Sequence, residues 1–322
     1  MSKKKVVVIG GGNGSAISIS ALKQFKDEKD GVEISAIVSM SDSGGSSGRL
    51  RKEFDTLPPG DIMRAVLAMS RYDYDMLKMI FHRKRFTGAG KLDEHNLGNL
   101  FLALAERYAG DYLQAVRVLE QAVGAVGTVY PVTLDKTDLA VELTNGAVVR
   151  GEAEIDRPDY SRAFKIKKAW LDPSAKIFNE AKRVIEEADD IILGPGSLYT
   201  SVIAALLPDG VKEAIANSSA KLIYIFGGAH ETNGETGPDA ASGFFVQLEN
   251  YLPRRLDLIV RNNHAVTEKE RMVYIRKNWE TVVFDKENMD GYNIVSADFE
   301  KEVGGLEAKK LGKILKKAVN NL

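Results

Sequence analysis

Short β-branched runs alternate along the chain with longer stretches whose apolar residues recur at helical spacing. Val6, Val7, Val8 and Ile9 form a continuous run of the type buried on both faces of a parallel sheet. Glycine-rich residues 10–14 follow, then apolar positions over 16–22 at helical spacing, then a second strand over 33–38. This is a βαβ unit, and its crossover should be right-handed. The alternation returns in the second half. A helix is predicted over 175–188, a strand over 191–193 ending in glycine, a helix over 198–207, and strands over 221–226 and 256–260.

Two regions break this rhythm. Residues 61–123 read as wholly helical, with helices over 62–70, 76–81, 97–108 and 112–122. Residues 127–170 turn β-rich, and Asn145-Gly146 between two alternating apolar runs is a strong hairpin signal. Near the end, Leu306, Leu311, Ile314, Leu315 and Val319 form the inner stripe of an amphipathic helix, with Lys309, Lys310, Lys316 and Lys317 outside. The predicted class is α/β: a doubly wound, mostly parallel sheet carrying a helical insert (about 61–123) and a small antiparallel β patch (about 127–170). No repeat, low-complexity run or long linker divides residues 1–322, so a single composite domain is expected.

Composition narrows the function classes. A chain that is 44% hydrophobic and 28% charged is neither disordered nor fibrous. Its 44 Lys and Arg against 45 Asp and Glu argue against bulk nucleic-acid binding. The absence of cysteine removes disulfides, thiol nucleophiles and Cys-ligated zinc. The histidines His82, His95, His230 and His264 are scattered, so any metal should be a hard ion such as magnesium, held by carboxylates, hydroxyls and phosphate. The basic start Met1-Ser2-Lys3-Lys4-Lys5 lacks the apolar stretch of a signal peptide, and no apolar run approaches membrane-spanning length. A cytoplasmic protein without a membrane partner is expected; a homo-oligomer is compatible with the sequence.

Three predicted strand ends carry glycine-rich turns: Gly10-Gly11-Gly12-Asn13-Gly14, Asp42-Ser43-Gly44-Gly45-Ser46-Ser47-Gly48-Arg49, and Gly194-Pro195-Gly196-Ser197. In a doubly wound fold, ligands bind beyond the carboxyl ends of the strands. Loops without β-carbons let backbone N–H groups approach phosphate, and the helix that follows presents unpaired N–H groups and partial positive charge. The first loop lacks the third glycine of a dinucleotide fingerprint, because Ser15 or Ile17 stands there, and no Walker A loop is present. These turns are therefore expected to meet at one rim and grip an anionic phosphate ligand.

The second loop holds the candidate chemistry. Asp42 and Asp61 could chelate magnesium between them, or act as base and orienting group, while Arg49 and Arg64 could clamp phosphate. Asp61 has a plain alternative as a helix N-cap. Residues 44–48 also satisfy the Gly-x-Ser-x-Gly hydrolase pattern around Ser46, with His230 and His264 downstream. His95, Asn96 and Asn99, at a predicted helix start, could reach a base, sugar or phosphate, or serve as structural hydrogen-bonders. Asn262, just past the strand at 256–260, could read a base or ribose.

Taken together, residues 10–14, 42–50, 58–61 (Pro-Pro-Gly-Asp), 95–99 (His-Asn-Leu-Gly-Asn), 193–201 (Leu-Gly-Pro-Gly-Ser-Leu-Tyr-Thr-Ser) and 234–236 (Gly-Glu-Thr) resemble the gluconeogenesis factor family. That family is a branch of the superfamily that includes 2-phospho-L-lactate transferase of coenzyme F420 synthesis. The resemblance implies a Rossmann-like fold, a cytoplasmic location and binding of a nucleotide-sugar such as UDP-N-acetylglucosamine. It also implies a role in cell shape and in growth on gluconeogenic carbon. For the transferase branch it implies magnesium-dependent movement of a phospholactyl group from a guanosine diphospho-donor to a deazaflavin. On this reading the diphosphate lies across residues 10–14 and 194–197, with Asp42, Ser43, Ser46, Asn96 and Asn262 around the sugar or base. A transferase would use Asp42 and Asp61 for the metal, and Arg49 beside it. Two departures stand out. Asn13 takes the place of the usual Thr, and Gly305-Leu306-Glu307-Ala308 stands where many members carry Arg-His-Asp-Pro.

Overall fold

The structure is a computed structural model, and it describes residues 3–29 and 31–320. Among the described residues the strands are β1 (Lys4–Gly10), β2 (Val32–Val38), β3 (Thr128–Pro131), β4 (Asp138–Leu143), β5 (Val148–Arg150), β6 (Ile166–Asp172), β7 (Asp190–Leu193), β8 (Lys221–Phe226), β9 (Ala229–Glu231), β10 (Leu258–Asn262), β11 (Trp279–Thr281) and β12 (Ile294–Ala297). Seven of them build one sheet in the order β12-β10-β8-β7-β1-β2-β3, and every pairing in it is parallel. The apolar residues Val6, Val7, Val8 and Ile9 are buried, as a central strand covered on both faces requires. The fold is therefore α/β and Rossmann-like, with helices packed on the sheet.

The strand order places the site. The chain winds outward from β1 to β2 and β3, then returns to lay β7 against the other side of β1 and winds away through β8, β10 and β12. The reversal falls between β1 and β7, where Ile9 pairs with Leu193. A crevice opens at such a switch point, beyond the carboxyl ends of the two strands.

The helices of the first half are α1 (Gly12–Leu22), α2 (Gly45–Phe54), α3 (Gly60–Met69), α4 (Tyr74–Lys78), α5 (Leu97–Ala109) and α6 (Tyr112–Ala122). A π-helical turn, Met79–Arg83, continues α4. α1 packs against α3 and against the C-terminal helix Ala308–Asn320, where Leu311, Leu315 and Val319 are buried.

Several expectations are corrected. The region 127–170 is not one antiparallel patch, because β3 joins the edge of the main sheet parallel to β2. The patch proper is β5-β4-β6, with Gly146 at φ 84° in its Asn-Gly turn. The helix expected over 175–188 shrinks to Asn179–Glu186, since Lys176 bridges to Asp209 instead. The helix expected over 198–207 is a π turn, Leu198–Val202, followed by a 3-10 turn, Ile203–Leu206. The strand expected at 256–260 runs Leu258–Asn262. Arg49 lies inside α2. The β9–β11 ribbon and β12 have no counterpart in the sequence reading.

Candidate functional site

Two of the three glycine turns meet at the switch point. β1 ends at Gly10, Gly11 adopts an extended conformation as N-cap of α1, and Gly12 turns left-handed at φ 64°. The cap receives no side-chain hydrogen bond. Gly14 lies directly against the second turn, so that a β-carbon there would overlap the Pro195 carbonyl. Ser18 Oγ donates to the Gly194 carbonyl at 2.7 Å, and the Gly194 N–H donates to Ile9 O at 3.2 Å. The two turns thus form one wall. They open on a cleft of about 530 Å³, into which Asn13, Gly14, Pro195, Gly196 and Ser197 face.

The opposite walls mix charge and aromatic surface. Lys78 and Arg83 enter from the helical insert, Arg162 and Lys165 from the segment before β6, and Lys277 and Lys301 from the C-terminal third. Lys78 Nζ donates to Asn13 Oδ1 at 2.7 Å, and burial, with Arg83 and Arg64 nearby, lowers its pKa to about 8. Tyr224, Phe226, Phe244, Tyr274 and Trp279 supply apolar surface, with Lys277 Nζ 4.4 Å from the Trp279 ring centroid. Such a wall suits a flat ring next to an anionic group.

Several acids in the cleft already have partners. Glu300 accepts from the Tyr274 hydroxyl at 2.9 Å and from Asn262 Nδ2 at 2.8 Å. Glu235 accepts the N–H of Thr200 at 2.9 Å and of Tyr199 at 3.1 Å. Burial nonetheless pushes its pKa up to about 7. The backbone donors after Gly194-Pro195-Gly196-Ser197, expected to be unpaired, are therefore engaged by Glu235.

The second glycine loop does not line this cleft. It forms an acidic cluster beneath the first loop. A β-carbon on Gly11 would collide with Asp61 Oδ2, and one on Gly60 with Asp42 Oδ2. Asp61 Oδ1 is ion-paired with Arg64, and Asp42 Oδ1 accepts the Gly44 N–H at 3.0 Å. Burial, then the Asp61 charge, raises the Asp42 pKa; burial, then Asp42, pushes Glu152 up to about 8. Burial acts to lower the Arg64 pKa, but Asp61 and Asp42 hold it above the ordinary value. Asp156, whose pKa burial also raises, joins the cluster to the cleft, which it lines. Among the described residues, no group of three or more His, Asp or Glu is arranged to hold a metal ion. Asp42 and Asp61 form a pair of carboxylates, which suits magnesium when phosphates and water complete its shell.

The remaining candidates are spent on internal contacts. Ser46 Oγ lies 2.9 Å from His95 Nδ1, both residues being buried, which leaves no approach for a substrate carbonyl. Its partner is neither His230 nor His264. Asn96 caps α5 by accepting the Asn99 N–H at 2.8 Å, and Asn99 Nδ2 donates to Ser47 Oγ at 3.3 Å. Ser43 Oγ accepts the Ala153 N–H, while Gly44 and Gly45 start α2. Arg49 is exposed and donates to Asp93 O at 2.9 Å. Asn262 uses both ends of its amide on Glu300 and the Phe299 N–H. None of these lines the cleft.

Lys78, Arg83, Arg162, Tyr274, Trp279 and Glu235 line the cleft without having been singled out from the sequence. Only Glu235 had a local signal, the Gly234-Glu-Thr236 motif.

The chain is similar to known proteins over most of its length. The family described as 2-phospho-L-lactate transferase CofD matches residues 6–300. A "Gluconeogenesis factor" of Halalkalibacterium halodurans is 34% identical over 296 residues, covering 91% of this chain and 88% of that protein. Another, of Bacillus subtilis, is 34% identical over 289 residues, covering 89% and 87%. The crystal structure of a UPF0052 family member from Bacillus halodurans superposes with a TM-score of 0.87 at 34% identity, covering 98% of this chain and 99% of that one.

Proposed function

The chain belongs to the CofD family, and on that premise we propose that it binds a nucleotide-diphospho-sugar, such as UDP-N-acetylglucosamine, as a regulator of the gluconeogenesis-factor type. The observation that carries this reading is the junction of two glycine turns at the switch point, opening on a cleft with cations from several segments and aromatic walls. The diphosphate would lie at the start of α1, over Gly12, Asn13 and Gly14, with Lys78 and Arg83 neutralising it. The Gly194–Ser197 turn would back this subsite, while Glu235 engages the Tyr199 and Thr200 N–H groups that follow it. The base would rest against Tyr274 or Trp279. Growth on gluconeogenic carbon and cell shape would depend on that occupancy.

A second reading, a magnesium-dependent transferase, is favoured by the Asp42 and Asp61 carboxylates, close enough for Asp61 to raise the Asp42 pKa. These two would hold the metal, which would neutralise charge developing on the phosphates. Thermal shift separates the readings, because ligand at a hundred times its dissociation constant stabilises by about 2.7 kcal/mol. A shift with UDP-N-acetylglucosamine that is indifferent to magnesium supports the regulator. A shift with GDP that requires magnesium supports the transferase, and no shift with either overturns both.

A further inference from the structure

One wall of the cleft is carried by a helix with little apolar anchorage. Helix Glu268–Arg276 buries Tyr274 and no other of its residues. Tyr274 lines the cleft, as do Lys277 just beyond the helix and Trp279, whose ring meets Tyr274 edge-on at 5.7 Å. Polar fastenings must therefore set where this wall stands. Two of them reach the segment after β12. The Tyr274 hydroxyl donates to Glu300 at 2.9 Å. His264, in the loop that leads into the helix, stands between Glu270 of the helix and Asp298. Its Nε2 is 2.9 Å from Glu270 Oε2, and its Nδ1 is 3.3 Å from Asp298 Oδ2.

The ring must carry two protons to meet both partners. An ionised carboxylate only accepts, and a neutral imidazole has a single N–H. Both acids are ionised near neutral pH. The Thr267 donors, then His264, lower the Glu270 pKa to about 2. Burial acts to raise the Asp298 pKa, but the Glu300 N–H and His264 hold it below the ordinary value. Glu270 and Asp298 are the charged groups that face His264 among the described residues, and Lys310 acts through Asp298 Oδ1, 3.7 Å from its Nζ. Burial acts to lower the His264 pKa, but the hydrogen bonds to Glu270 and Asp298 raise it above the ordinary 6.5. The tie is therefore complete below pH 6.5 and is lost as pH rises through the folded value. We propose that His264 is a positioning residue of the cleft: as an imidazolium it ties helix Glu268–Arg276 to Asp298, and loss of its proton loosens the wall that Tyr274 and Lys277 present. Its effect on ligand affinity rests on the nucleotide-sugar reading of the cleft; the tie itself does not.

Nuclear magnetic resonance of the full chain tests this, with the imidazole signals assigned by their absence from His264→Gln. The His264 pKa should lie above 6.5. Asp298→Asn keeps Oδ1 for the Glu300 N–H and replaces Oδ2 with an N–H donor, which a neutral Nδ1 can accept. This variant should lower the His264 pKa. Between one pH unit below and one above the wild-type pKa, hydrogen-exchange protection of residues 268–281 should fall about fivefold or more in wild type. Protection should stay level in Asp298→Asn and low throughout in His264→Gln, whose amide nitrogen serves one carboxylate at a time. A His264 pKa at or below the ordinary value, a pKa unmoved by Asp298→Asn, or equal protection profiles in wild type and Asp298→Asn overturns the proposal. The expected titration and exchange in a chain that gives no thermal shift with UDP-N-acetylglucosamine would uphold the tie and refute the ligand reading alone.

Discussion

Gly14 and Pro195 belong to different glycine turns, yet no β-carbon fits between the backbone of one and the carbonyl of the other. This contact lets α1 approach β7 and closes the floor of the cleft. Gly14→Ala should force the turns apart and cost about 1–3 kcal/mol by overpacking, with loss of the proposed nucleotide binding. Gly12 offers a control, because a β-carbon there would meet only Ser201 Oγ at 3.5 Å. Its left-handed φ makes Gly12→Ala cost about 1 kcal/mol. Urea denaturation should rank Gly14→Ala below Gly12→Ala; the reverse order would refute the close junction.

Asp61 and Arg64 form a pair whose side chains are 10% and 17% exposed. Removing the acid leaves a guanidinium with little water, and Arg64 Nε already lacks a partner among the described residues. Asp61→Ala should therefore cost about 3–5 kcal/mol, measured as a fall in the urea midpoint at constant slope. Replacing both residues, as in Asp61→Ala with Arg64→Met, should recover much of the loss. A single-variant cost below about 1 kcal/mol would mean that water reaches the pair.

The parts of this fold legible from sequence are those whose cause is local. Burial on both faces makes β1 a continuous β-branched run, and α6 spans the expected Tyr112–Ala122 because its apolar spacing is regular. The glycine turns were legible as turns, and the meeting of the first and third followed from the topology rule, but the separation of the second was not legible. Whether Asp42–Arg49 joins the other two depends on where α2 and α3 pack, and they carry it beneath the first loop. The β9–β11 ribbon is three residues a side and has no periodicity to read. Glu235 reaches the N–H of Thr200 from 35 residues away, a contact no local pattern announces. His95 and Ser46 looked like chemistry because their residue types are reactive; burial turned them into a structural pair.

Lys78 should make ligand affinity depend on pH. Its pKa of about 8 means that the ammonium is lost on going from pH 7 to pH 9, although a bound anion would delay the loss. A charge-assisted hydrogen bond contributes about 1.5–3 kcal/mol, so the affinity for UDP-N-acetylglucosamine should fall by about tenfold or more over that interval. Lys78→Arg keeps its charge throughout and should show a flat profile by isothermal titration calorimetry. A wild-type affinity as flat as the variant's would remove Lys78 from the phosphate subsite.

Glu235 ties overall stability to pH in the opposite sense from a surface carboxylate. Its folded pKa is about 7 against an ordinary 4.5, so the folded state holds this proton more tightly than the unfolded one. Stability should then fall as pH rises from about 4.5 to about 7, by at most about 1.4 kcal/mol per pH unit for one group, and level off above. Glu152, with a pKa of about 8, adds a fall of the same sign that continues to higher pH, so the wild-type slope alone assigns nothing. The difference between wild type and Glu235→Gln isolates the contribution. The variant keeps one acceptor oxygen for the Tyr199 and Thr200 N–H groups but has no proton to lose. Its melting temperature should decline less steeply between pH 5 and pH 7 and run parallel to wild type above about pH 8. Parallel curves across the whole range would mean that Glu235 is ionised at pH 5, and that its backbone donors outweigh its burial.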